Sequence, residues 1–210
     1  MIIRGFFLFY AIAVAAAMPP AWAQTTGPVP DMRTKGASEA SVQPSPQPET
    51  RAARLERLYD SLAGAASVLE ARRFATTIEN LRLRSGSATA DLLTERATEA
   101  IQRKEVDQAL TLLDAAVDAE PDFAEAWNRR ATLLFQKGDY DRAMIALYET
   151  LQRDPRHWGA WAGLGRILEA TGDKRRALAA YRRAIAAYPR LESVKDRAAR
   201  LAVEIRGSEL

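Results

Sequence analysis

The chain has no cysteine and a single histidine, His157. The first absence excludes disulfide frameworks, thiolate zinc sites and cysteine nucleophiles. The second leaves no further imidazole to complete a metal site, and no nucleophile-elbow pattern offers a serine triad. An excess of either charge is also missing: 30 Lys and Arg face 27 Asp and Glu, for a net charge of +3, and +2 without Arg4. That is too weak to argue for nucleic acid. The basic cluster Lys174, Arg175, Arg176, Arg182 and Arg183 has no interleaved series of aromatics of the kind single strands stack on. Long apolar runs are missing as well. The run Phe6–Ala17 has 12 residues, short of the roughly 17–25 that span a bilayer.

That run follows Arg4, is broken by Met18-Pro19-Pro20 and precedes Ala21-Trp22-Ala23. The pattern is that of a signal peptide over 1–23, cleaved after Ala23. No cysteine carries a lipid and residues 1–23 hold no twin arginine, so the expected product is soluble, exported by the general route and periplasmic. Its contact with membrane is then limited to the signal before cleavage. Residues 24–50 hold five prolines, Pro28, Pro30, Pro44, Pro46 and Pro48, and no aromatic residue. Such a segment buries too little apolar area to offset the entropy of ordering it, and reads as a disordered Pro-rich linker.

What is present in quantity is a spacing of 34 residues. Pro121, Pro155 and Pro189 stand at this interval, as do Ala109, Ala143 and Ala177. Trp127 and Trp161 repeat it, with Leu93 in the equivalent earlier place. Blocks of this length divide the chain into 90–123, 124–157 and 158–191. The third block reads Trp161-Ala-Gly-Leu164-Gly165-Arg-Ile-Leu168, then Ala177, Tyr181, Ala184 and Pro189. It resembles the tetratricopeptide repeat (TPR), with Leu168 in place of the usual tyrosine. The second block matches at Trp127, Ala131, Leu134, Ala143, Leu147 and Pro155 and departs at Arg130 and Thr150. The first block, with Leu93, Ala97, Ala100, Ala109, Leu113, Ala116 and Pro121, is the most degenerate. The resemblance implies an all-α fold, a right-handed α-solenoid of antiparallel helical hairpins that presents a binding surface and no catalytic site.

The residues explain the pattern physically. Ala97, Ala131, Gly165, Ala109, Ala143 and Ala177 are small because paired helices cross closely there. Trp127, Trp161, Leu134, Leu168, Leu147 and Tyr181 recur at helical spacing beside them and form the core. Gly138-Asp139 and Gly172-Asp173 mark the turn within each hairpin, glycine ending one helix and aspartate capping the next. Lys104-Glu105 stands there in block one and predicts a turn that is strained or differently shaped. Each proline ends a second helix. Beyond the repeats, 192–206 reads as a C-terminal capping helix with Val194, Ala198, Leu201, Ala202 and Ile205 on one face. Upstream, 51–84 reads as a divergent helical hairpin covering the other end of the stack, with Ser85-Gly86-Ser87 as the joint.

Counting by 34 sets His157 level with the apolar Phe123 and Leu191, which makes it a junction packing residue. Paired carboxylates occur only as helix-surface Glu and Asp, and Gly163 and Gly165 are repeat glycines, not a phosphate loop. No enzyme signal, metal site or cofactor site remains. The family resemblance places Thr94, Thr98, Ile101 and Gln102 of block one along a concave groove. Glu125, Asn128, Thr132, Phe135 and Gln136 join them from block two, and Gly159, Ala162, Arg166 and Glu169 from block three. With Asn128 and Arg166 but no lysine at these places, the groove does not match the clamp by which some members hold a peptide's terminal carboxylate. Ile101 and Phe135, one repeat apart, suggest an apolar strip rimmed by Asn128, Thr132, Gln136 and Arg166, with Glu169 beyond. The alternative is that both pack against a neighbouring hairpin or the linker.

Charge changes along the stack, from nine acids and three bases in block one to two acids and seven bases in block three. Such a gradient orients a dipolar partner or favours head-to-tail self-association. The expected role is a non-catalytic protein–protein interaction scaffold or adaptor of the bacterial cell envelope, holding a peptide or protein in the groove. The competing reading is an accessory subunit that positions an envelope or cell-wall enzyme.

Overall fold

The computed structural model describes residues 49–207. The signal peptide expected over 1–23 and nearly all of the expected linker lie outside the described residues. Among the described residues every regular element is a helix. The first pair is α1 (Arg51–Ala63) and α2 (Val68–Arg82). Three further hairpins follow: α3 (Ala88–Gln102) with α4 (Val106–Ala119), α5 (Ala124–Gln136) with α6 (Tyr140–Arg153), and α7 (Trp158–Ala170) with α8 (Lys174–Ala187). Helix α9 (Glu192–Gly207) ends the stack. Helices α3 to α8 occupy the three blocks of 34, Ala88 opening α3 just ahead of the first.

The turns show why the chain breaks where it does. Gly138 and Gly172 take φ of 77° and 86°, and Asp139 and Asp173 cap α6 and α8 by accepting from the amides of Arg142 and Arg176. The divergent turn of block one has the same shape, reached under strain. Lys104 sits at φ 63°, and the Glu105 amide donates to the Ala100 carbonyl at 2.9 Å, matching Asp139 to Leu134 and Asp173 to Leu168. Glu105 makes no side-chain cap.

The repeated tryptophans and prolines are parts of one contact. Trp127 Nε1 donates to the Pro121 carbonyl at 2.9 Å, and Trp161 Nε1 to the Pro155 carbonyl at 2.8 Å. Each indole thereby ties a first helix to the loop before it and satisfies its only donor. At the crossing of α7 and α8 there is no room for a side chain. A Cβ on Gly165 would stand 2.4 Å from the ring of the buried Tyr181.

The first hairpin is not where the sequence places it. The core of the first repeat contains no residue of α1 or α2. Instead Tyr59, Leu62, Ala71, Ala75 and Ile78 form a core with Trp158 and Ala187, with Tyr188 and Leu191 packed against it. The hairpin thus docks on the loops that enter and leave the third repeat, not over the open end of the stack. A buried polar cluster explains the choice. Asp154 accepts from the Tyr59 hydroxyl at 2.7 and 2.6 Å, from Arg82 Nε at 2.9 Å and from the Arg156 amide at 3.1 Å. Arg82 also donates to the Tyr59 hydroxyl and stacks on Trp158, its guanidinium carbon 4.1 Å from a ring centroid. Burial pushes the Tyr59 phenol well above its ordinary range, so it stays a donor. At the far edge Arg190 clamps the Ala65 and Ala66 carbonyls of the α1–α2 turn.

Candidate functional site, a concave groove along the first helices

The first helix of each hairpin contributes one row of the groove, and a chain of polar contacts ties the rows together. Arg129 of α5 donates to the Thr98 hydroxyl of α3 and to Glu125 Oε1 at 2.9 Å. Glu125 Oε2 lies 3.3 Å from His157 Nε2, and His157 Nδ1 accepts from the Ala160 amide at 3.1 Å, capping α7. His157 is buried, as junction packing predicts, but it also makes two polar contacts that Phe123 and Leu191 cannot. Burial raises the Glu125 pKa, yet the hydrogen bond and charge of His157, and then Arg129, outweigh it and hold the carboxyl at about 2. Glu125 therefore stays ionised as a structural brace between repeats.

Four recesses lie along this face. One of about 870 Å³ is bounded by α2, α3 and α5, with Asp91, Glu95, Glu99 and Arg129 on its walls and the buried Thr94 at its base. Another of about 350 Å³ runs between Asn80 of α2, Leu83 just after it, and Glu125, Asn128 and His157. The docked hairpin is thus a wall of the groove, a consequence of the placement that the sequence missed.

The other two recesses hold most of the expected binding residues. Asn128, Thr132, Phe135 and Arg166 line a narrow cleft of about 40 Å³. Phe135, Arg166 and Glu169 also line a recess of about 500 Å³ that α9 closes with Val194 and Arg197. The Arg166 guanidinium carbon lies 4.5 Å from the Phe135 ring centroid, and Tyr140 packs on the same ring at 5.5 Å. Among the described residues Arg166 has no carboxylate partner. Glu169 is engaged on its own side, accepting from the Tyr181 hydroxyl and Arg197 Nε, both at 2.7 Å.

Two expected residues fall elsewhere. Ile101 is half-buried against the core of the first repeat, and Gln136 is exposed at the end of α5; neither lines these recesses. The apolar strip reduces to Phe135, with its ring shared between a tyrosine and an arginine. Arg197, Asn80 and Leu83 join the groove from elements outside the 34-residue pattern, and no sequence period could have pointed to them.

The comparisons with known proteins agree with this geometry. Two family models, each described as tetratricopeptide repeat, match residues 94–155 and 134–201. A TPR repeat-containing protein of Rhizobium etli is 33% identical over 115 residues, 55% of either chain, so this chain spans about half the length of that curated relative. Among solved structures, the first TPR of Spaghetti (RPAP3) bound to the HSP90 peptide SRMEEVD matches with a TM-score of 0.55 at 17% identity. It covers 57% of this chain and 95% of its own. The Sgt2 TPR domain of Aspergillus fumigatus matches with a TM-score of 0.55 at 22% identity, over 59% of this chain and 83% of that one. At these identities the likeness is one of fold. Together, the matched models, the helical pairs and the turns establish that residues 94–201 of this chain are tetratricopeptide repeats.

Proposed function

We propose that this protein is a non-catalytic scaffold or adaptor that holds a peptide segment of another protein in the groove between α5, α7 and α9. The observation that carries the reading is Arg166. An exposed guanidinium stacked on Phe135, without a carboxylate partner among the described residues, joins two neighbouring recesses and offers donors to a peptide carbonyl or carboxylate. The TPR fold supports protein binding in general, and the solved relative described as bound to an HSP90 peptide is an example of it. The envelope is the proposed setting, supported by the leader pattern of residues 1–23; the mass of the exported chain should then correspond to a start at Gln24.

Capture of partners from the native envelope tests the proposal. Wild type should retain a defined polypeptide that Phe135→Ser loses at unchanged melting temperature. Equal capture by both proteins would remove the groove as the binding surface. A retained polypeptide that is itself catalytic would favour the accessory-subunit reading.

A further inference from the structure

The groove uses neither the arginines of α8 nor the exposed apolar residues of α6. Tyr148 of α6 and Arg176 and Arg183 of α8 meet at a separate recess of about 230 Å³, lined also by Trp161, Leu164 and Leu168 of α7. It shares no residue with the groove recesses. Tyr148 is 42% exposed at its rim, and Ile145, one turn earlier on α6, is 58% exposed. Two large apolar side chains left in water beside an apolar recess are a patch that calls for a partner.

The surrounding charge says which kind. Arg183 lies over the Trp161 ring at 6.0 Å, and neither it nor Arg182 has a carboxylate partner among the described residues. Among the described residues Arg176 pairs only with Asp173, the cap of its own helix, at 3.5 Å. The two acids of the third repeat, Glu169 and Asp173, are both engaged where they stand. An apolar floor rimmed by Arg183, which has no carboxylate partner among the described residues, and by Arg176, held only by the cap of its own helix, complements a bulky apolar side chain flanked by carboxylates. We propose that this recess docks an acidic segment of a protein partner, anchored by one aromatic or aliphatic side chain. The site is separate from the groove and stands or falls independently of it. A concave apolar floor suits an inserted side chain better than a row of lipid headgroups, which asks only for a basic surface.

Fluorescence anisotropy of the full chain tests the idea with short labelled peptides of Asp and Glu around a central Trp, Phe or Leu. At least one such probe should bind, while its Lys-substituted counterpart should not. Arg183→Glu and Ala179→Trp, both at exposed positions, should each weaken that binding on the order of tenfold, about 1.4 kcal/mol. Phe135→Ser should leave it unchanged. The proposal is overturned if no acidic probe binds, if a central Gly binds as well as Trp, or if binding survives both variants. Sedimentation with phosphatidylglycerol vesicles in place of peptide binding would assign the surface to lipid instead.

Discussion

Removing the Asp154 carboxylate is the sharpest perturbation of the architecture. In Asp154→Ala, Arg82 keeps its charge at 5% exposure but loses its one carboxylate partner among the described residues, and the Tyr59 hydroxyl loses its acceptor. Breaking a buried pair from one side costs about 3–5 kcal/mol, because the remaining charge stays desolvated. The chain has a way to limit that cost. If the α1–α2 hairpin undocks, Arg82 returns to water, so the loss cannot exceed the free energy of docking. The expected result is local opening, with α5 to α8 still folded. Hydrogen exchange reads it directly: a docking loss of about 3 kcal/mol raises exchange of the α1–α2 amides on the order of a hundredfold, with little change in α7 and α8. Arg82→Met combined with Asp154→Leu removes both charges and should restore most of the protection. If α1–α2 exchange in Asp154→Ala matches wild type and stability changes by less than about 1 kcal/mol, the buried cluster does not hold the hairpin.

Further outcomes follow from the turns, the crossings and the brace. Gly165→Ala should lower stability by about 1–3 kcal/mol despite alanine's better helix propensity, since the new Cβ meets the Tyr181 ring. Thermal unfolding should show most of that loss recovered when Tyr181→Leu is added. Lys104→Gly should raise stability by about 0.5–1 kcal/mol, because glycine takes the left-handed angle freely; a lower melting temperature would contradict the strain. Glu125 titrates near 2 in the fold against 4.5 ordinarily, so its contribution is complete above pH 4.5 and lost as pH falls toward 2. That contribution is on the order of 3 kcal/mol. Denaturant titrations should therefore find a shallower acid dependence in Glu125→Gln between pH 4.5 and 2, and an unchanged slope would discount the brace.

The hairpins, their turns and their crossings were legible because their causes are local. A glycine that ends a helix, an aspartate that caps the next and a small residue at a crossing all act within one period of 34. Lys104 could be picked out as strained for the same reason, since its counterparts are glycines. The docking of α1–α2 was not legible. It rests on Arg82 meeting Asp154 and on Tyr59 meeting Trp158, pairs far apart in sequence with no period linking them. Asp154 stood in a loop where an acid ordinarily faces water. His157 was only half legible: alignment with Phe123 and Leu191 gave its burial, while its place just before α7 was an unread capping signal. Within the groove, Phe135, Arg166, Asn128 and Thr132 came together as their repeat positions implied. Ile101 did not join them, because it packs against the core of the first repeat.

The groove between α5, α7 and α9 is proposed to hold a peptide segment of another protein. A photo-crosslinking side chain placed at Thr132, exposed on the groove wall, and separately at Thr111, exposed on α4, tests it most directly in the native cell. The account predicts a single defined adduct from position 132 that Arg166→Ala diminishes, and none of the same mass from position 111. Equal adducts from both positions, or an adduct from 111 alone, would contradict it.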